Sequence, residues 1–371
     1  MNKHRFIIVP ADICNLTCSF CCVAKCEGSS GTVMSSDDAK KYADIIMRYL
    51  TLHNTKFLDL QFFGGEPMLN FDAVKIFISA VTETYKKYRL PEEVFLCLMS
   101  NGTQNIPEFI EFVNKCNEEA PIFQTEIQLS YDGPKHLCTE SAEKTNIEYL
   151  RQAVELTKDN NKWNICSMLV ISNQNMNNLF EIFKYLHINK MLSYIAFRFD
   201  IENSNYKQMS NIVLPQFEQC LKYIKDNNIS KIRRSGKLIF NKYTDPKPRG
   251  GCGSGVTTLC LSADGYLTGC QHDVVLISQR LPNRVYKKLT CVEDIENFTD
   301  LSFAEDWYNI GKDGHAEYED ICPSHYRKVK DDPDRKEFFR KVHEIVKQLD
   351  EGEILNEDTK NTTDKHNIKD M

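Results

Sequence analysis

Phe57-Leu-Asp-Leu-Gln-Phe-Phe63, running into Gly64-Gly-Glu-Pro67, is the stretch from which the fold can be read. Its length and aromatic content predict a strand. Leu58, Leu60 and Phe62 fall on one face, Asp59 and Gln61 on the other, because successive side chains of a strand point to opposite sides. The alternation recurs. In Glu126–Ser130, Ile127 and Leu129 oppose Gln128 and Ser130; in Ser193–Phe199, Ile195, Phe197 and Phe199 oppose Arg198 and Asp200 just beyond. A parallel sheet covered by helices on both faces reads apolar on both. One repeatedly polar face suits a barrel with a solvated lumen better than a doubly wound sheet.

Around that strand the chain alternates strand and helix. Phe6-Ile-Ile-Val9 is a short apolar run, and Ser35 or Ser36 caps a helix containing Ala39, Ala43, Ile46, Met47 and Leu50. Helices are expected from about Asn70 to Lys87, Pro107 to Cys116, Glu143 to Lys158, Met176 to His187 and Pro215 to Asn227. Strands are expected over Val94–Met99 and Trp163–Val170. These make about six strand–helix units with right-handed parallel connections. Six are too few for a closed eight-fold barrel, which leaves an open six-unit barrel or a doubly wound sheet. Near residue 230 the character changes to turn residues and cysteine, as in Pro246-Lys-Pro-Arg-Gly-Gly-Cys-Gly-Ser-Gly255. The expected division is a barrel over 1–230, a second domain over 231–352 and a charged, disordered tail over 353–371.

The totals narrow the class. The 371 residues are 42% hydrophobic, enough for one large core or two domains. A net charge of −6 with both signs interspersed gives no pull toward nucleic acid or anionic membrane. No apolar run approaches the roughly 18 residues of a membrane span, and MNKHRFIIVP is too short an apolar start for a secretory signal. A cytoplasmic protein is expected. Fifteen cysteines, an odd number, argue against a disulfide framework there. Cys97, Cys116, Cys166 and Cys220 lie in apolar periodic segments and read as core.

Cys14-Asn-Leu-Thr-Cys18-Ser-Phe-Cys21 puts three thiols on eight residues. Three thiolates can hold an iron–sulfur cluster with one iron left open, much as a catalytic zinc keeps a free position; a zinc knuckle is the alternative. Gly64-Gly65-Glu66-Pro67 offers two glycines that admit close backbone approach and a carboxylate that can accept from an ammonium. Ser100-Asn-Gly-Thr103 and Ser130-Tyr-Asp-Gly-Pro134 end further strands, where ligands of α/β folds sit.

With the C-x3-C-x2-C spacing and Phe20 before the third cysteine, the chain resembles the radical S-adenosylmethionine enzymes. The resemblance implies a partial (β/α)6 barrel, and a [4Fe–4S] cluster on Cys14, Cys18 and Cys21 whose open iron chelates S-adenosylmethionine. Reductive cleavage of that cofactor yields a 5′-deoxyadenosyl radical that abstracts hydrogen from substrate. Cys22 and Cys26 are expected not to be ligands. The same resemblance assigns Glu66, with Phe20, Gly64, Gly65 and Pro67, to the cofactor, Glu66 meeting its methionine amino group. The segments at Ser100, Asn101 and Ser130 resemble those of the peptide-modifying branch that includes anaerobic sulfatase maturases. That branch places an arginine about a dozen residues past the D-G-P to meet the methionine carboxylate. Here Lys144 is the nearest cation, and Arg198 is the alternative.

Cys252, Gly265 and Cys270 form C-x12-G-x4-C, which resembles the opening of the SPASM and Twitch auxiliary-cluster domains of that branch. Cys252, Cys260, Cys270 and Cys322 are then the expected ligands of one auxiliary [4Fe–4S] cluster, with Cys291 competing for the fourth place and zinc as the alternative metal. Gln271 stands where the maturases carry an aspartate, which weighs against formylglycine formation; Asp273 is the candidate proton acceptor. Only 13 residues precede Cys14, so no leader-gripping domain is expected in front of it, and a separate recognition protein or direct binding of a short peptide takes its place. The expected activity is hydrogen abstraction from a residue of a ribosomally made peptide, giving a crosslink, thioether or epimer, with a flavodoxin, ferredoxin or other external reductase as electron donor. A small-molecule dehydrogenase or cyclase is the alternative, a non-catalytic metal-binding protein the least favoured.

Overall fold

The structure, a computed structural model, describes residues 3–18, 21, 31–133, 140–173, 175–189, 194–199, 205–227, 258–270, 285–298, 332–342, 344 and 345. Six strands run parallel: β1 (Lys3–Ile8), β2 (Phe57–Phe62), β3 (Glu93–Ser100), β4 (Phe123–Ser130), β5 (Trp163–Ile171) and β6 (Tyr194–Phe199). Each lies beside its neighbour in sequence, and the order never reverses. With right-handed crossovers, α1 (Ser36–Leu52), α2 (Phe71–Tyr88), α3 (Ile106–Glu119), α4 (Glu140–Thr157) and α5 (Leu179–Ile188) therefore all fall on one face. A doubly wound sheet needs a reversal, so that alternative is excluded. The fold is an open, partial (β/α)6 barrel.

The two faces of β2 differ as the alternation predicts. Leu58, Leu60 and Phe62 sit in the main core with Phe77 and Val81 of α2 and Ile46 and Leu50 of α1. On the lumen face Arg5 Nε donates to Asp59 Oδ2 at 2.6 Å, and Gln61 Nε2 to Asp59 Oδ1 at 2.8 Å. Gln128 Nε2 donates to Glu126 Oε1 at 2.6 Å. Asp59 and Glu126 are each only 2% exposed. The two carboxylates are thus buried and paired while Arg5, Gln61 and Gln128 stay half-buried; a carboxylate taken from water is tolerated when a cation or amide meets it.

One boundary differs from the sequence reading. α6 runs Tyr206–Asp226 with Pro215 inside it, whereas proline had suggested a first turn. Past residue 230 the described residues begin at Thr258. β7 (Thr258–Leu261) pairs parallel with β1, with Ile7 opposite Cys260, and β8 (Tyr266–Thr268) and β9 (Lys287–Lys288) follow antiparallel in the same sheet. A short helix, α7 (Val292–Glu296), comes next, and His53 after α1 meets its Glu296 at 2.9 Å. A last helix covers residues 333–342. The tail over 353–371 lies outside the described residues. Among the described residues no helix is long and apolar enough to cross a membrane.

The β7–β8 turn is seated on α1. Gly265 has φ +81°, and a Cβ there would lie 1.9 Å from the Tyr42 hydroxyl oxygen. Gly265→Ala is expected to lower stability by about 2 kcal/mol or more from strained φ and overlap, read as a urea midpoint. An unchanged midpoint would show that the turn is free to lift off α1.

Candidate active site at the mouth of the barrel

The residues with chemistry gather at the carboxyl ends of β1–β4. The loop after β1 is clamped at its base: Asp12 N donates to Thr32 O, Met34 N to Pro10 O, and Ala11 bridges Val33. Asn70 seals the clamp, its Nδ2 donating to Pro10 O and Met34 O, both at 2.9 Å. Beside it runs the Gly-Gly-Glu segment. Gly65 N donates to Ala11 O at 3.0 Å and Glu66 N to Ile13 O at 2.8 Å. A Cβ on Gly64 would stand 2.4 Å from Ala11 O, and one on Gly65 2.1 Å from Ile13 O. The glycines had suggested close approach of backbone to a ligand; what approaches them in the structure is the cysteine loop's own main chain.

Glu66 is fully buried. Its Oε1 accepts from Met68 N at 3.0 Å and Ser100 Oγ at 2.9 Å, and its Oε2 from Asn101 N at 2.7 Å. Burial pushes this carboxyl up to about 7, against the downward pull of those three donors. The carboxylate therefore ties the end of β2 to the end of β3. The β3 turn reaches back to the cysteine loop, because Asn101 Nδ2 donates to Cys14 Sγ at 3.5 Å and to Asn15 Oδ1 at 2.9 Å. Leu16 N also donates to Cys14 Sγ, at 3.4 Å. Burial raises the Cys14 thiol pKa, the nearby Glu66 and Cys21 add to the rise, and the two N–H groups oppose it.

Asn146 of α4 completes the ring. It is fully buried, with Nδ2 donating to Asn101 O at 2.7 Å and Ser130 O at 2.9 Å, while its Oδ1 meets no donor among the described residues. Lys144, on the same helix, is exposed. Sequence reading missed Asn146, because an asparagine within a helix resembles a solvated position; the empty place of the branch's arginine was the one available signal. It also missed Asn15, Asn70 and Thr103, whose roles depend on loops meeting in space. Asp132 of the D-G-P segment is 3% exposed and accepts from Val170 N at 2.6 Å. Burial pushes it up to about 7.

The other expected residues divide. Cys14, Cys18 and Cys21 are half-buried on one loop, where Cys21 N donates to Cys18 O at 3.1 Å. Among the described residues no three Cys, His, Asp or Glu side chains converge on a metal-sized point. Cys97, Cys116, Cys166 and Cys220 are buried. Cys260 is fully buried in a small lumen-face cluster with Ile7, Val9 and Ala263; Cys270 is buried and Cys291 exposed. Arg198 lies in β6 opposite Val170, its side chain outside the described residues. Phe20, Cys252, Asp273 and Cys322 lie outside them altogether, as do Cys22 and Cys26.

The donor chemistry fits an iron–sulfur cluster with a ligand beside it. Three thiols share one loop, thiolate is the preferred ligand of such clusters, and the buried Asn146 Oδ1 is an acceptor still open to a donor. Residues 8–186 match the Radical SAM superfamily. That match, over just under half of the chain, is to a family of enzymes, and it implies S-adenosylmethionine and a [4Fe–4S] cluster. One curated relative is the radical SAM cyclopropyl synthase TigE of Paramaledivibacter caminithermalis, 25% identical over 169 residues. The match covers 42% of this chain and 33% of the relative, so it spans about a third of the relative's length. Among solved structures, native anSMEcpe with bound AdoMet and Cp18Cys peptide is 16% identical with a TM-score of 0.61, over 94% of this chain and 99% of that one. Native anSMEcpe with AdoMet is 15% identical with a TM-score of 0.62, over 93% and 99%. At such identities the likeness is one of fold.

Two outcomes test this geometry. Gly65→Ala should push Ile13 and Cys14 off the Gly-Gly-Glu segment; 5′-deoxyadenosine formation is expected to fall by about 100-fold, the scale of a 1 Å misplacement, while circular dichroism stays native. Wild-type turnover in this variant would show that the loop does not depend on that approach. For Asp132, a carboxyl raised in the fold binds its proton more tightly than in the unfolded chain. Its stability contribution is therefore greatest below the unfolded pKa and is lost as pH rises through about 7. Asp132→Asn should gain on wild type by up to ~4 kcal/mol between pH 4 and pH 8, read as urea midpoints. A pH-independent difference would mean that Asp132 ionises normally.

Proposed function

We propose that this enzyme cleaves S-adenosylmethionine at a cluster held by Cys14, Cys18 and Cys21 and abstracts hydrogen from a residue of a ribosomally made peptide. The observation that carries the reading is the hydrogen-bonded ring at the barrel mouth, in which the thiol loop, Glu66, Asn101 and Asn146 are bound to one another. When bound, the cluster and cofactor supply a 5′-deoxyadenosyl radical. The chain's own residues orient and shield. Glu66 Oε2 accepts one N–H and has room for a second, the methionine ammonium. Asn146 Oδ1 accepts a further donor from the same ligand. Arg198 or Lys144 meets the carboxylate, and Ser100 and Ser130 line the strand ends.

A peptide is favoured over a small molecule by the fold shared with a structure that holds AdoMet and a peptide together. Gln271, in place of the maturases' aspartate, favours an outcome other than formylglycine. A flavodoxin or ferredoxin delivers the electron. An auxiliary [4Fe–4S] cluster is held by Cys252, Cys270 and Cys322. For its fourth ligand, the burial of Cys260 against Ile7 and Val9 favours the exposed Cys291.

Anaerobically reconstituted and reduced protein is expected to form 5′-deoxyadenosine and to bind about eight irons, two four-iron clusters. Cys21→Ala should abolish formation and Cys22→Ala retain it. Absence of 5′-deoxyadenosine from wild type under strict anaerobiosis would sink the reading, and an iron count near four would remove the auxiliary cluster alone. Deuterium transfer from a labelled peptide encoded beside the gene, against none from small metabolites, would secure the peptide.

A further inference from the structure

The geometry points to Asn101 as a positioning residue that sets the reduction potential of the cluster on Cys14 by donating an N–H···S hydrogen bond to that thiolate. The inference rests on the cluster assignment above. Every polar atom of Asn101 is held. Its N donates to Glu66 Oε2 at 2.7 Å, and its O accepts from Asn146 Nδ2 at 2.7 Å. Its side-chain Oδ1 accepts from Thr103 N at 3.0 Å and Thr103 Oγ1 at 2.6 Å. Two donors on Oδ1 fix which way the amide faces. The Nδ2 group must then point the other way, and it lies 3.5 Å from Cys14 Sγ. Asn15 braces the arrangement from the loop itself, its Oδ1 accepting from Asn101 Nδ2 at 2.9 Å and its Nδ2 donating to Thr103 Oγ1 at 2.8 Å.

The consequence is electrostatic. Hydrogen bonds to cluster sulfurs are among the determinants of iron–sulfur potentials, as outer partners tune metal sites generally. An N–H aimed at a ligand sulfur stabilises the more negative, reduced state and so raises the potential. The Leu16 N–H on the same sulfur, at 3.4 Å, belongs to the main chain and survives any side-chain change. Asn101 is the adjustable donor, and its orientation is set before the cluster is reduced.

The test compares reconstituted wild type with Asn101→Leu, Asn101→Asp and Asn15→Leu. Iron and sulfide are measured, and the potential is read by redox titration of the electron paramagnetic resonance signal that added S-adenosylmethionine perturbs. Asn101→Leu should lower the reduced-to-oxidised ratio at a fixed potential by three- to tenfold, tenfold being about 59 mV for one electron. Asn101→Asp keeps the acceptor for Thr103 but sets an oxygen against the sulfur, and should lower it further. Asn15→Leu keeps the donor and should shift the ratio less than about twofold. Unchanged potentials in both Asn101 variants at wild-type iron content would overturn the inference. So would an equal shift in Asn15→Leu, which would assign the effect to a loosened loop. Loss of the cluster from both Asn101 variants, with native circular dichroism, would overturn it too, because Asn101 would then serve assembly. A wild type without iron at this site would instead overturn the cluster assignment.

Discussion

The mouth of this barrel depends on two main-chain segments lying closer than side chains allow. Ala11–Ile13 rests on Gly64–Gly65, with hydrogen bonds from Gly65 N and Glu66 N. A Cβ on either glycine would sit within 2.4 Å of a carbonyl oxygen. Backbone cannot rotate away as a side chain tip can, so the approach is possible only with glycine at both places. It extends the β1–β2 pairing past the formal strand ends: Phe63 N still donates to Ile8 O, and the next donors follow along the loop. The thiol loop is thereby carried as a continuation of the sheet.

From that contact the order of the site propagates from strand to strand. Glu66 links β2 to β3, Asn101 links β3 to the thiol loop, and Asn146 links the ends of β3 and β4. Glu66 and Asn146 are buried and Asn101 half-buried, and losing either buried link would leave a partner unsatisfied, at about 1–3 kcal/mol. The links are not independent, since Asn101 takes part in all three. Their coupling holds several loop ends at one geometry, a stronger condition than any single bond imposes. Burying a carboxylate such as Glu66 is unfavourable by itself; three donors offset part of that, and the remainder shows as its raised pKa.

How much of this was legible follows from the range of each interaction. Strands and helices were readable because period two and period 3.6 are local patterns, and the alternation of Asp59 and Gln61 with Leu58 and Leu60 indicated which face the helices would leave. The strand-end motifs were readable because turn residues cluster where strands stop. Asn146 was not, since nothing local separates a helical asparagine bound to two distant carbonyls from one facing water. The start of α6 was misplaced because proline is at home in a first turn and is only tolerated deeper. The role of the glycine pair was half legible: close approach was evident, but the approaching group was not. β7 was hidden for the opposite reason to β2. Four residues show little alternation, and their partner β1 lies some 250 positions earlier.

That late pairing bears on the second half of the chain. β7 runs parallel to β1, so it points toward the mouth, and the Ser262–Gly265 turn lies at the level of the thiol loop; Asp264 is close enough to help raise the Asp12 carboxyl pKa. β8 then runs back, with Thr268 opposite Cys260 and therefore level with Ile7. Ile7 is the next-to-last residue of β1, so the strand end at Thr268 is still close to the mouth. Cys270 follows two residues later, outside the strand, with Thr268 Oγ1 donating to its carbonyl oxygen at 3.0 Å. The hairpin that carries it is docked twice, by β1 pairing and by Gly265 against Tyr42, so Cys270 starts from a fixed place beside β1.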